Sequence, residues 1–413
     1  MSAINAERYW GWLMALGAVT EPGRPWTRRS FSSEFMQGRD WLRDRFQDVG
    51  LATRIDTAGN LIGSLPGSDA QAGAVMIGSH SDSVPGGGRF DGMAGVIAAL
   101  ELAASVRDSG RPLRHRLDVV DFLAEEPSDY GVSCIGSRGM SGFLDASQLS
   151  RCNAAGESLR QAMQRVGADP DRLSEACPRD LKAFFELHIE QGAVLQAQGL
   201  DLGVVNGIVG IRRLAVRFVG QAAHAGTTPM ALRQDAFVAA AALTLEVHQL
   251  AHALAAGEAY FVATVGQVQV TPNATNVVPG EALLMLDIRS NRQGLLEQFI
   301  ADLQTMAQRI AISQGVHLAS VEQLSNTAPT DCDAGLMAHL RAAAARLSHS
   351  AMDMTSGAGH DCAFMSYLAP SAMLFVPSRD GKSHCPEEWT EPAQLAAGVA
   401  TLYEAVRLFD GTE

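Results

Sequence analysis

The stretch AVMIGSHSDSVPGGGRFDGMAGVIAALELAASV (residues 74–106) decides the fold. It begins with a short apolar run, typical of a buried strand, and ends with an alanine-rich segment, typical of a helix. A second apolar run, RLDVVDFLAEE (116–126), ends in two acids. Strands that alternate with helices predict a βαβ sheet. Ligands bind beyond the carboxyl ends of such strands, so we expect His80 and the Glu125–Glu126 pair to lie together.

A change of pattern near residue 211 predicts a second, inserted domain. From there, strand and helix patterns follow in the order β-α-β-β-α-β, which fits a small α+β, ferredoxin-like sandwich. The strand SAMLFVPS (371–378) then resumes the first pattern. We therefore predict a discontinuous α/β main domain, residues 1–210 and 325–413, around an inserted domain, residues 211–324.

Composition limits the possible functions. The chain has 413 residues, 47% hydrophobic and 19% charged, which fits two or three globular domains and not a disordered chain. The formal charge of −13 does not favour a nucleic acid partner. We expect no membrane span and no signal peptide, because neither apolar pattern is present. The six scattered cysteines predict reduced thiols in a cytoplasmic protein.

The segment GSHSDSVPGGGRFDG (78–92) offers metal ligands. His80 and Asp82 alternate on an extended segment, and a glycine-rich turn lets Asp91 fold back towards His80. Imidazole and carboxylate are the ligands expected for a borderline divalent metal. A surface turn with incidental polar residues is the alternative, so this segment alone leaves both interpretations open.

Three further segments carry candidate ligands. One carboxylate of the Glu125–Glu126 pair can bind a metal while its neighbour takes a proton from water, although a solvated strand end is the simpler interpretation. ELHIEQG (186–192) places His188 between carboxylates, as in a metal site or a polar strand edge. His384 in KSHCPEE lies in a segment that Pro386 keeps extended.

Other polar groups suit substrate binding. His360 in GAGHDC lies beside glycines that permit close backbone approach, and His224 begins the loop HAGTTPM of the inserted domain. Asn276 and Arg289 lie on later strands of that domain. Arginine suits bidentate recognition of a carboxylate, but a strand arginine paired with a neighbouring acid is the alternative.

Seven segments, taken in order, resemble the M20 metallopeptidase clan and, within it, the hydantoinase/carbamoylase branch. They are GSHSDSVPGGGRFDG, FLAEEPSDYGVSCIGSRG, ELHIEQG, GQAAHAGTTPM with Arg233 and Asp235, NATNVVPG with LDIRS, SGAGHD, and VPSRDGKSHCPEE. They run in family order from residue 78 to residue 388. The resemblance implies an α/β fold, in which a mixed-sheet catalytic domain carries an inserted α+β domain that serves as a lid and dimerisation surface.

The resemblance also implies a site for two divalent metal ions, zinc or manganese, with cobalt possible as well. His80, Asp91 and His188 would hold the first ion. Asp91, Glu126 and His384 would hold the second, so that Asp91 bridges the two ions.

The same resemblance gives the other residues their roles. Glu125 would be the general base, and Asp82 would orient His80 through its second ring nitrogen. His224 would also help to stabilise the oxyanion, and Arg289 would meet the substrate carboxylate. The residues that would bind the substrate are Gln191, His224, Asn276, Arg289 and His360.

The implied activity is hydrolysis of the carbamoyl (ureido) C–N bond of N-carbamoyl-L-amino acids to amino acid, ammonia and carbon dioxide. Allantoate, ureidoglycolate and β-ureidopropionate are alternative substrates. The implied partner is a second copy of the chain, bound through the inserted domain, with no nucleic acid and no membrane. Two rivals from other classes are a non-catalytic metal-binding protein, which the intact Glu125 disfavours, and a cysteine-nucleophile amidase, which EDTA would not inactivate.

Overall fold

The computed structural model describes residues 4–412, and the chain forms two compact units. Unit 1 comprises the chain up to Asn206, Cys332–Met354 and the chain from His360 onward. Unit 2 comprises Gly207–Asp331 and Thr355–Gly359. The domain limits at 210/211 and 324/325 stay a prediction, and residues 1–3 and 413 of the predicted main domain lie outside the described residues.

The two units together contain the following strands and helices. The strands are β1 (Ala52–Ile55), β2 (Leu61–Leu65), β3 (Ala74–His80), β4 (Arg116–Phe122), β5 (Leu181–Ile189), β6 (Leu202–Ile208), β7 (Gly210–Val219), β8 (Ala223–His224), β9 (Phe261–Thr271), β10 (Val277–Val278), β11 (Glu281–Ser290), β12 (His317–Thr327), β13 (Thr330–Asp331), β14 (Ala351–Ser356) and β15 (Ser371–Val376). The helices are α1 (Ala6–Gly17), α2 (Ser33–Asp48), α3 (Met93–Ser109), α4 (Ile135–Ser141), α5 (Ala146–Leu149), α6 (Leu159–Arg165), α7 (Val194–Gln198), α8 (Ala236–Ala255), α9 (Gln293–Ser313), α10 (Ala334–Arg346), α11 (Cys362–Met365) and α12 (Pro392–Asp410).

Unit 1 is built on a mixed sheet. The strand order is β1-β2-β4-β3-β5-β15-β6, and β14 pairs with β6. Strands β4, β3, β5 and β15 run parallel to one another, whereas β1–β2, β2–β4 and β15–β6 are antiparallel pairs. Helix α3 packs against β3, and its residues 93–106 are all buried, because the apolar side chains of both elements share one core. The mixed α/β fold predicted from the sequence is therefore confirmed.

The parallel strands bring their polar ends together. Strands β3 and β4 pair with His80 opposite Phe122, so the chain leaves both strands at the same edge of the sheet. Strand β5 reaches that edge too, where His188 lies opposite Phe375 of β15. The prediction that His80 lies near the Glu125–Glu126 pair is confirmed, because Nε2 of His80 is 3.6 Å from Oε2 of Glu125.

Unit 2 has its own sheet and its own core. Its antiparallel sheet has the order β12-β7-β11-β9, and α8 and α9 cover one side. The core contains Phe218 from β7, Leu243 from α8 and Phe299 from α9. The main elements follow the predicted β-α-β-β-α-β order, and β8 and β10 form a separate two-stranded ribbon.

Candidate metal centre

Five side chains of unit 1 converge in two overlapping groups. His80, Asp91 and His188 form one group, and Asp91, Glu126 and His384 form the other. In each group the ligand atoms all lie within 4.8 Å of one another. Oδ1 of Asp91 is 3.1 Å from Nε2 of His188, and Oδ2 is 3.0 Å from Nε2 of His384. A carboxylate that turns one oxygen to each group suits a bridging ligand, and nitrogen and oxygen donors of this kind suit divalent metals.

Backbone carbonyls orient the two buried histidines. Nδ1 of His80 lies 3.1 Å from the carbonyl oxygen of Asp82, and Nδ1 of His188 lies 2.9 Å from that of Ile189. Because a carbonyl oxygen only accepts hydrogen bonds, Nδ1 of each ring is the donor. Nε2 of each ring therefore faces Asp91 and is the nitrogen left for a metal ion.

Asp82 fixes the backbone of the Glu125–Glu126 pair. Its Oδ1 accepts the N–H of Glu125 and its Oδ2 accepts the N–H of Glu126, both at 3.2 Å. Ala124, with a φ of 52°, turns the chain just before the pair. The turn ends the alternation of β4, so both carboxylates remain at one edge of the sheet. Asp82 thus has a second contact besides the predicted one with His80, whose Nδ1 lies 3.5 Å from its Oδ1.

Burial and mutual charge shift the pKa values of this cluster. Burial and the charge of Asp91 raise the pKa of Glu126 to about 7. The hydrogen bond with Asp91 raises the pKa of His384 to about 9. Burial, together with the charge of Glu126, raises the pKa of Glu125 well above its usual range. Acids and imidazoles packed this closely favour bound protons or a bound cation, either of which offsets the mutual repulsion of the carboxylates.

Gln191 and His360 lie beside the two groups. Nε2 of Gln191 donates to Oδ2 of Asp91 at 2.9 Å, and the ring of His360 meets the ring of His188 edge-on at 4.6 Å between ring centres. His360 also belongs to a third possible ligand group, with Glu186 and His188. The roles of Gln191 and His360 in substrate binding stay predictions.

The other predicted substrate-binding residues lie in unit 2. Nδ1 of His224 accepts two backbone N–H groups of its own loop, which leaves Nε2 as a donor. Asn276 precedes the strand that pairs with His224. Arg289 donates to Oδ1 of Asp287 at 2.6 Å and to the carbonyl oxygen of Gly357 at 2.8 Å. Arg289 therefore pairs with a neighbouring acid, as the alternative interpretation of the sequence expects. Its recognition of a substrate carboxylate stays a prediction.

Two contacts at the site involve residues that the sequence did not single out. Cys134 donates its S–H to Oε1 of Glu125, with 3.3 Å between sulfur and oxygen. Glu388 accepts the backbone N–H of Asp91 at 3.2 Å. Both residues lie inside the quoted segments, but spacing along the chain does not indicate which neighbour they contact in the fold.

Comparisons with known proteins point to one family. The chain matches the family model described as peptidase family M20/M25/M40 over residues 76–408. It is 38% identical to the N-carbamoyl-L-amino-acid amidohydrolase of Paenarthrobacter aurescens, over 99% of each chain. It is 34% identical to the allantoate amidohydrolase of Bacillus subtilis, over 95% of this chain and 94% of the other. A solved structure, a hydantoinase/carbamoylase family amidase from Burkholderia multivorans, is 34% identical with a TM-score of 0.90, over 99% of this chain and 98% of the other.

Metal binding at the two groups should release protons. A cation must displace the protons on His384, with a pKa of about 9, and on Glu126, with a pKa of about 7. We expect the affinity for Mn²⁺ to rise with pH between about 5.5 and 8.5, because the raised pKa values of His80 and His188 add to the protons displaced. The rise should be steeper below about 7, where Glu126 also carries a proton. Calorimetric titration in buffers of different ionisation enthalpy counts the protons.

The variant His384→Asn is the control, because it lacks one of the ligands that carry a proton to be displaced. It should release one proton fewer at pH below about 7. An affinity of the unsubstituted protein that does not change with pH would contradict the expectation.

Proposed function

This chain belongs to peptidase family M20/M25/M40, and we propose that it hydrolyses the ureido C–N bond of N-carbamoyl-L-amino acids. The products are the amino acid, ammonia and carbon dioxide. One observation carries the proposal: two ligand groups share the carboxylate of Asp91, and the carboxylate of Glu125 lies beside them without belonging to either.

Two divalent ions, when bound, would act as Lewis acids and lower the pKa of water. His80, Asp91 and His188 would hold one ion, and Asp91, Glu126 and His384 the other. This set of imidazole and carboxylate donors suits zinc, manganese and cobalt.

Glu125 acts first as a base and then as an acid in this proposal. Its carboxylate takes a proton from the attacking water and passes it to the leaving nitrogen. The carboxylate of Glu125 lies beside the two ligand groups, with Oε2 3.6 Å from Nε2 of His80, so it can reach a water molecule held there. The S–H of Cys134 and the backbone contact with Asp82 fix the orientation of the carboxylate.

Arg289 retains donors for a substrate carboxylate. A guanidinium group has five N–H donors. Among the described residues, Nε and Nη2 of Arg289 donate to the carboxylate of Asp287, and Nη1 donates to the carbonyl oxygen of Gly357. We propose that its remaining N–H groups bind the carboxylate of the amino acid, and that His224 and Asn276 bind the same substrate.

A second candidate function is hydrolysis of allantoate or of ureidoglycolate or β-ureidopropionate. The observation that favours it is the full-length similarity to an enzyme named allantoate amidohydrolase. These ligands also present a ureido group near a carboxylate, so the same catalytic residues would serve them.

A substrate panel with the metal-reconstituted chain decides between the two functions. We expect N-carbamoyl-L-amino acids to give the highest kcat/KM for ammonia release, ahead of allantoate, ureidoglycolate and β-ureidopropionate. The highest kcat/KM on allantoate would give the activity to the second candidate instead. Chain treated with EDTA is the control and should be inactive until a divalent metal is restored.

Replacement of the proposed base tests the mechanism. Glu125→Gln keeps the size of the side chain but removes its basicity, so we expect kcat to fall by about 10²- to 10⁴-fold with two metal ions still bound. Glu404→Gln is the control, because Glu404 pairs with Arg346 and belongs to neither ligand group. Near-full turnover by Glu125→Gln, with metal bound, would rule out this role for Glu125.

We also propose that the chain forms a homodimer through unit 2. On α8, Val238 and Leu245 lie two turns apart and are 45% and 64% exposed, while the opposite side of the helix is buried against the sheet. Strand β9 is an edge strand on which Val262 and Val268 are 39% and 46% exposed. A second copy would cover both the apolar side of α8 and the open strand edge.

By length and composition, α8 is also the one helix in residues 4–412 that could cross a membrane.

A charge on the exposed side of α8 should separate the subunits. We expect twice the chain mass for the unsubstituted protein and a shift to the single-chain mass for Leu245→Glu, because a dimer would bury the new carboxylate. Light scattering after size-exclusion chromatography measures both masses. Ile312→Glu, at a residue 71% exposed on α9, is the matched control and should leave the mass unchanged. An unchanged mass for Leu245→Glu would exclude this side of α8 as the interface.

A further inference from the structure

Glu388 is a buried carboxylate that the proposed reaction does not use. Only 1% of its surface is exposed, and it belongs to neither ligand group. It lies four residues after His384, at the end of KSHCPEE. Since a buried carboxylate is costly unless it accepts hydrogen bonds, its contacts indicate what it stabilises.

Both oxygens of Glu388 accept hydrogen bonds from segments that carry ligands. Oε1 accepts the backbone N–H of Phe90 at 2.9 Å and that of Asp91 at 3.2 Å. Oε2 accepts the hydroxyl of Ser383, the residue before His384, at 2.9 Å. Oγ of Ser383 also lies 3.3 Å from Oδ2 of Asp91. Glu388 thus connects two segments that are almost 300 residues apart in the sequence.

Gly88 provides the space for this connection. A Cβ atom at residue 88 would lie 1.7 Å from Oε1 of Glu388, far inside van der Waals contact. Only glycine permits so close an approach of backbone and carboxylate. The glycine-rich turn before Asp91 is therefore shaped to receive Glu388 as well as to reverse the chain.

We propose that Glu388 is a positioning residue for the second ligand group: it holds the segments of Asp91 and His384 together so that both can bind one cation. This inference rests on the proposed dinuclear site. Oδ2 of Asp91 and Nε2 of His384 already lie 3.0 Å apart. Outer contacts that orient metal ligands typically change metal affinity by about 10- to 100-fold. Loss of Glu388 should therefore weaken binding of the second ion more than that of the first, whose histidines lie on β3 and β5.

Metal titration of the full chain tests this role. We expect two Mn²⁺ ions per unsubstituted chain, and for Glu388→Ala an affinity for one ion that is lower by about 10- to 100-fold. Glu388→Gln should recover most of that affinity, because its amide oxygen can still accept the N–H groups of Phe90 and Asp91. At saturating Mn²⁺ the kcat of Glu388→Ala should return towards that of the unsubstituted protein, because Glu388 positions ligands and does not act on the substrate.

A second substitution reaches the same contact by another route. In Gly88→Ala the added methyl group would displace the carboxylate of Glu388, so the affinity for the second ion should fall as in Glu388→Ala. This variant keeps the test decisive if Glu388→Ala does not fold.

Asp410→Ala is the matched control for a purely structural effect. Asp410 is a buried carboxylate that accepts the backbone N–H groups of Arg114 and His115, and it belongs to neither ligand group. Its loss should lower the Tm without changing the affinity for either ion.

Two results would overturn the inference. One is unchanged affinity for both ions in Glu388→Ala or Gly88→Ala, and the other is an equal loss of affinity in Asp410→Ala. Fewer than two ions on the unsubstituted chain would instead contradict the dinuclear site, so the two failures are distinguishable.

Discussion

The two ligand groups depend on one buried carboxylate, that of Asp91. Burial by itself would raise the pKa of Asp91, but the hydrogen bonds with His188 and His384 hold it well below its usual range. Asp91 therefore keeps its negative charge in a place where the pKa values of Glu125, Glu126 and Glu388 are raised. Because its two oxygens turn to different histidines, each group is completed only through this side chain. A fixed charge at this position makes the surrounding cluster a site for cations.

Part of the acid excess of the chain is concentrated in this cluster. Asp82, Asp91, Glu125 and Glu126 lie within 45 residues of sequence and are all buried at one edge of the sheet. Packing several carboxylates together disfavours their joint ionisation, and protons or metal ions must offset the repulsion. A ligand that binds only the folded state adds to its stability by mass action, so bound cations would stabilise an arrangement that is costly without them. Other acids of the chain are buried away from the two ligand groups, such as Glu101, which pairs with Arg8, and Asp121, which pairs with Arg39.

The sequence predicts the elements of this site better than their contacts. The apolar runs and their polar ends indicate parallel strands, and these bring His80 and the glutamate pair to one edge, as observed. The assignment of ligands to two groups rests on the family resemblance, because spacing alone leaves a surface turn as an alternative. The contact of Glu388 with Asp91 joins residues 297 apart, and no local pattern encodes such a pairing. The sequence does not predict the return of Thr355–Gly359 to unit 2 either, since two of these five residues are glycines and the segment carries no periodic apolar signal.

Backbone conformation, more than side-chain freedom, sets the geometry of the site. Ala124, Cys134, Gln191 and His384 all have a positive φ, between 52° and 59°, and such a conformation costs a non-glycine residue about 1–2 kcal/mol. Strain of this kind persists only where the surroundings fix it. Asp82 binds the backbone just after Ala124, the N–H of Cys134 binds a carbonyl oxygen of the glutamate pair, and that of Gln191 binds a serine hydroxyl. These hydrogen bonds therefore help to fix the positions of the ligands. Metal affinity should then depend on the hydrogen bonds that hold these turns as much as on the ligands themselves.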